Sequence, residues 1–130
     1  MRKYNPKDVI IVVGGRAITG LAEGSFVAAE KTEDGFTEYV GAKGEVSIAE
    51  NANETGTITI TLANTSPSIS YLNGLANRKT IMATNVIDMN DNGVRAGGTE
   101  TIVRKPANAE WGTEVGNREF EIFVANFRME

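Results

Sequence analysis

Residues 55–77 (TGTITITLANTSPSISYLNGLAN) constrain the fold more than any other stretch. In the first half, Thr57, Thr59 and Thr61 alternate with Ile58, Ile60 and Leu62. This two-residue period is that of a strand with one buried face. The second half changes period: Ile69, Leu72 and then Leu75 or Ala76 recur at helical spacing, after Ser66 in N-cap position and Pro67 at the first helical residue. A strand therefore hands over to a short amphipathic helix, predicted over residues 67–77. Such a helix needs a sheet to lie on, with Ile58, Ile60 and Leu62 meeting Ile69 and Leu72.

The rest of the chain offers that sheet. Residues 9–13 (VIIVV) form a short apolar run closed by Gly14-Gly15, a two-residue hairpin signal, with residues 16–21 as the returning arm. Residues 25–31 read as a third strand. Residues 36–40 and 45–49 read as arms around the turn-rich GAKG at 41–44. These arms mix Phe36, Tyr39 and Val40 with several charges. That pattern suits either a protruding hairpin that something packs against or an ordinary meander. Residues 80–89 and 99–103 resume strand patterns, 94–98 are ambiguous, and 106–111 form a loop or single helical turn. Residues 118–127 (REFEIFVANF) close the chain, with Phe120, Ile122 and Val124 on one face and Phe123, Ala125 and Phe127 on the other. Both faces are apolar, so this strand is expected to be central or covered by a partner. Fourteen glycines punctuating short strands complete a mainly β pattern, a barrel or sandwich with one flanking helix in a single domain over residues 1–130.

Composition removes most catalytic options. The 130 residues include no cysteine and no histidine, which excludes disulfides, thiolate or imidazole metal sites and the usual base near neutral pH. Asp88, Asn90, Asn92 and Gly93 match the opening of a calcium-binding EF-hand loop, but its twelfth position is Thr99 and its flanks read as strands. Gly14-Gly15-Arg16 lacks the lysine-serine ending and the following helix of a phosphate loop. The carboxylate pairs Glu119/Glu121 and Glu33/Asp34 have no nucleophile or base to work with. The expectation is therefore no enzyme and no cofactor.

Charge says more. Residues 23–54 carry eight acids against two bases, in a chain whose net charge is −4. Like charge of this density suits a solvated surface, or one past which a polyanion slides without sticking. Residues 1–13 contain neither a secretory hydrophobic region nor a membrane span, so the product is expected to stay in the cytoplasm where it is made, without a membrane anchor.

Residues 3–77, above all EDGFTEYVGAKGEV and TGTITITLANTSPSISYLNGLAN, together with WGTEVGNREFEIFVANF at 111–127, resemble the tail tube proteins of contractile-tailed bacteriophages, whose relatives occur in type VI secretion and phage-like bacteriocins. Residues 79–105 have no counterpart in that resemblance. It implies a virion structural protein that forms hexameric rings stacked into a DNA conduit. The implied partners are other copies of itself, a tail sheath, a tape-measure protein, baseplate and tail-terminator proteins, and DNA in passage. It also implies inter-ring or inter-subunit contacts at Asp34, Gly35, Phe36, Tyr39, Lys43, Phe123 and Phe127, and a lumen face carrying Thr57, Thr59, Thr61, Glu119 and Glu121. A baseplate or tail-completion ring with the same fold, or a small β-type binding module, are the other readings the sequence allows.

Overall fold

The computed structural model describes residues 3–90 and 93–130. A 3₁₀ turn at Pro6–Asp8, in which the Asn5 side chain accepts from the Lys7 N–H, leads into β1 (Val9–Val13). Gly14 and Gly15 take positive φ values of 60° and 83°, as a tight two-residue hairpin requires, and β2 (Arg16–Ala17) returns along β1. The arm is two residues long rather than the six expected. Ile18 turns into the core, and Thr19 is tied to the helix start, donating its N–H to Ser68 Oγ at 3.1 Å.

In order follow β3 (Val27–Lys31), β4 (Phe36–Val40), β5 (Val46–Glu50), β6 (Gly56–Ala63), α1 (Ser68–Arg78), β7 (Met82–Asp88), β8 (Arg95–Val103), β9 (Asn117–Val124) and β10 (Arg128–Met129). The main sheet runs β2-β1-β7-β8-β9-β6-β3, with β10 added to β8, and every pairing is antiparallel. β4 and β5 form a separate two-stranded sheet. The class is mainly β with one helix, as the sequence suggests, but the expected barrel is not closed: among the described residues β2 and β3 are edges that do not pair with each other. The ambiguous residues 94–98 are not a separate segment either. They join 99–103 in β8, because the first half of β8 pairs with β7 and β10 and the second half with β9.

One face of this sheet, covered by α1, is the core. Ile58, Ile60 and Leu62 of β6 are fully buried beside Phe120, Ile122 and Val124 of β9, Ile11 and Val13 of β1, and Leu72, Leu75 and Ala76 of α1. Ile69 packs against the same cluster from a half-buried position. Pro67 already has helical φ and ψ of −70° and −14°, so Ser66 acts as the cap: its Oγ accepts from the Ser68 N–H at 3.2 Å and donates to the Thr19 carbonyl at 2.6 Å. Ser66→Ala would leave the buried Ser68 N–H and the part-buried Thr19 carbonyl without this partner. It is expected to lower the unfolding free energy by about 1–2 kcal/mol in urea titration.

Glycine is required at two close approaches. A Cβ on Gly56 would run into the Phe127 ring, and one on Gly97 (φ +148°) would run into the Thr84 carbonyl. Beside Gly97, the buried hydroxyls of Thr84 and Thr101 meet at 2.8 Å. Because Thr101 donates to the Met82 carbonyl at 2.6 Å, the Thr84 hydroxyl is the donor of the pair. This bond sits where the β7–β8 register shifts, between Met82 and Thr84, and satisfies polar groups that the irregular ladder would otherwise strand.

Candidate assembly surfaces

The first surface is the β4–β5 hairpin, every strand residue of which is exposed. Its register puts Phe36 opposite Glu50, Glu38 opposite Ile48 and Val40 opposite Val46, so one face carries four apolar side chains and two carboxylates. The other face carries Thr37 opposite Ala49 and Tyr39 opposite Ser47, with Tyr39 70% exposed. A two-stranded sheet packed on nothing has little stability of its own in water, and a contiguous apolar stripe held in solvent marks an interaction surface. Lys43 lies in the tip, where Gly41 N–H donates to the Glu45 carbonyl at 2.7 Å and Gly44 N–H to the Gly41 carbonyl at 3.0 Å. Of the two arrangements that the sequence allows, the protruding hairpin is the one observed. Val46 and Ile48 are easily missed in the sequence, because only the strand register aligns them with Phe36 and Val40.

The hairpin is held at its root by asparagines. Asn51 donates its amide to Glu33 Oε2 at 2.7 Å and to the Asp34 carbonyl at 3.0 Å, while its backbone N–H donates to the Gly35 carbonyl at 2.9 Å. Asn51 Oδ1 in turn accepts from the Asn53 N–H, and Asn53 Oδ1 from the N–H and hydroxyl of Thr55. Asp34 and Gly35 thus belong to the root rather than to the projecting face. The Asn51 amide, with a second contribution from Asn53, holds the Glu33 carboxyl below the usual carboxylate range. The 2.7 Å bond from Asn51 is the larger cause.

Because the folded value is lowered, this bond contributes in full at pH above the ordinary glutamate range and is lost as pH falls through the lowered value. Intrinsic-rate-corrected amide protection at Asn51 and Thr55 is accordingly expected to drop across that acid window, and Glu33→Gln to flatten the pH dependence.

The second surface is the outer face of the main sheet. Thr57 lies opposite Phe123, Thr59 opposite Glu121 and Thr61 opposite Glu119, so all five residues expected on one polar wall do share a face, with Phe123 beside them. Glu30 of β3 extends it opposite Thr57. Arg104 reaches this face: its Nε lies 3.8 Å from Glu121 Oε2, and its guanidinium carbon 5.1 Å from the Phe123 ring centroid. Around the β3–β6–β9 threonines, Glu30, Glu119 and Glu121 thus outnumber the Arg104 guanidinium on a hydroxyl-rich surface.

One expectation needs correction. Phe127 does not share the outer face with Phe123. The chain turns after Val124, and Phe127 is folded back over Gly56 into the core, only 7% exposed, which removes it from any contact surface. Where the calcium-like pattern begins, Asp88 Oδ1 accepts from the backbone and the side-chain amide of Asn90, at 2.9 and 2.7 Å, and Asn90 exchanges hydrogen bonds with Asn5. Asn92 lies outside the described residues, and among the described residues no cluster of metal-ligating side chains occurs.

A sequence profile for the family described as bacteriophage PhiTE tail tube protein matches residues 7–115. The chain belongs to the PhiTE tail tube protein family. The profile also spans residues 79–105, where the sequence resemblance has no counterpart. Structural protein ORF10 of Pseudomonas phage KPP10 is 40% identical to this tube-family chain over 75 residues, which cover 53% of the chain and 43% of that relative. The chain therefore spans less than half the length of the curated relative it matches.

Solved structures share the fold. A chain of the PVC sheath-tube complex of an extracellular contractile injection system, in its extended state, superposes with a TM-score of 0.61 at 14% identity, covering 98% of this chain and 91% of that one. A chain of the native gene transfer agent virion gives 0.64 at 12% identity, covering 98% and 99%. A chain of the PVC sheath/tube terminator gives 0.63 at 11%, covering 100% and 98%. This tube-family protein is a structural component of the phage tail, located in the virion.

Proposed function

We propose that the chain is the repeating subunit of the inner tail tube, forming hexameric rings that stack into a conduit for DNA through the host envelope. In this reading the Thr57, Thr59, Thr61, Glu119 and Glu121 face lines the channel, and the β4–β5 hairpin, through Phe36, Tyr39 and Lys43, reaches the neighbouring ring. The carrying observation is the fully exposed hairpin with its apolar face, which has no function in an isolated subunit. Contacts that repeat head to tail along an axis do not close, and produce a filament. A hydroxyl- and carboxylate-rich wall offers DNA phosphates little to hold on to, and Arg104 is partly neutralised by Glu121. The sheath, tape-measure, baseplate and tail-terminator proteins are the partners of such a tube.

The test is a phage carrying Thr59→Lys. Thr59 is half-buried and points away from the core, so the variant is expected to fold and assemble, while every ring gains one cation per subunit on its wall. Genome ejection should fall roughly tenfold or more, with a steep salt dependence. Normal ejection from normally assembled particles would move this face away from the channel.

A terminating ring is the second reading, because the likeness to the PVC sheath/tube terminator is as close as that to the sheath-tube complex. Negative-stain images of purified protein separate the two: long tubes support the repeating subunit, and isolated rings support the terminator.

A further inference from the structure

Arg118 is unlike the other cations among the described residues. It is only 9% exposed, its Nε is buried without a hydrogen-bond partner, and the one ion pair among the described residues, Arg104 with Glu121, does not involve it. A guanidinium Nε buried without a hydrogen-bond partner is costly, because its desolvation is not offset. Its cover is the Trp111 ring, whose centroid lies 5.2 Å from the guanidinium carbon, and that indole is itself 81% exposed, with Val115 exposed nearby in the same loop. An exposed tryptophan over a buried arginine, beside another exposed apolar side chain, has the composition of an interface centre.

The position of this group in the sheet indicates what covers it. β6 begins at Gly56, opposite Lys31 at the root of the hairpin, and ends with Leu62 and Ala63 opposite Arg118 and Asn117. Its eight residues separate the two ends by roughly 26 Å. The acidic, apolar hairpin therefore leaves one pole of the subunit, and the unpaired cation under its indole lies at the other. Charge and polarity match across that distance: Glu38 sits between Phe36 and Val40, opposite Ile48, while the Arg118 guanidinium sits against the Trp111 ring.

We infer that Arg118 and Trp111 form the receptor for the β4–β5 hairpin of a second copy of this chain, with the Glu38 carboxylate pairing the Arg118 guanidinium. The inference rests on the tube reading above and names both halves of its axial contact. Such a pair joins unlike poles, so each added copy presents a free receptor at one end and a free hairpin at the other.

Two measurements test it on full-length protein. Glu38 is exposed, so Glu38→Arg leaves the subunit folded, checked by an unchanged thermal midpoint. The critical concentration for tube formation, measured by pelleting and microscopy, is expected to rise about thirtyfold, the loss that follows truncation of one partner of a buried charge pair. The absence of cysteine allows an independent measurement, because Gly112, where an added Cβ meets nothing within 4 Å, accepts a cysteine without rearrangement. A Gly112→Cys chain mixed with a Val40→Cys chain should be linked by a short bismaleimide in assembled tubes and not in dissociated subunits. Tubes that form at unchanged concentration with Glu38→Arg, and do not cross-link between positions 112 and 40, overturn the receptor while leaving the tube reading intact. Failure of the unaltered protein to form tubes or rings under any condition, including with baseplate present, overturns both.

Discussion

Phe120→Ala is expected to lower the unfolding free energy of the unassembled subunit by about 3–5 kcal/mol, the range for removing a large aromatic ring from a packed core. Phe120 is the bulkiest fully buried side chain among the described residues, lies on β9 opposite Ile60 of β6, and sits in the cluster that also holds Ile122 and the buried residues of α1. The neighbours on both strands are fixed by the β6–β9 ladder and cannot collapse into the space. Chemical denaturation should show the loss as a lowered midpoint at unchanged slope, and thermal unfolding as a drop of roughly 10–20 °C. Phe36→Ala is the control: that ring is half exposed on a hairpin that touches no core residue, and the change should fall within about 0.5 kcal/mol. Equal losses at the two positions would mean that the hairpin is part of the subunit's own core.

Replacing residues 36–50 by a short glycine-containing turn should have the opposite profile. The subunit is expected to keep its thermal midpoint within about 3 °C, because no residue of β4 or β5 belongs to the core and a shorter loop lowers the entropy of closure only slightly. The root survives the deletion, since the Thr32 N–H still donates to the Thr55 carbonyl. Tube formation, in contrast, should be lost altogether. A deleted variant that still builds long tubes would show that the rings are held by another surface.

These contrasts follow from a difference between local and long-range information. The β6–α1 stretch was readable because the alternation at residues 57–62 and the helical spacing at 69–76 are each set by a few neighbours, and the Ser66 cap and Pro67 lie within the same turn. The Gly14-Gly15 hairpin was readable for the same reason. Its second arm was not, because the pull on Thr19 comes from Ser68, far along the chain. Residues 94–98 gain their strand identity only from β7 and β10, and the edges that leave the barrel open are properties of the whole pairing order.

For the candidate surfaces, the alternation placed the threonines and Glu119 and Glu121 on outward faces, and pairing β6 with β9 merged those faces into one. Phe127 continued the period of the closing strand in the sequence, yet the turn after Val124 sends it the other way. In the sequence, Arg118 is only the charged residue that precedes Glu119 in the closing strand. That it shares the inward row with Phe120 follows from parity, but that no carboxylate meets it depends on the fold around it.

The most direct measurement is a cryo-electron microscopy reconstruction of the assembled protein. Six subunits per ring are expected, with the side chains of Thr57, Thr59, Thr61, Glu119 and Glu121 on the channel wall and each β4–β5 hairpin seated on a subunit of the adjacent ring. A filament or ring in which that threonine face points outward, or in which the hairpins stand free in solvent, would contradict the proposal.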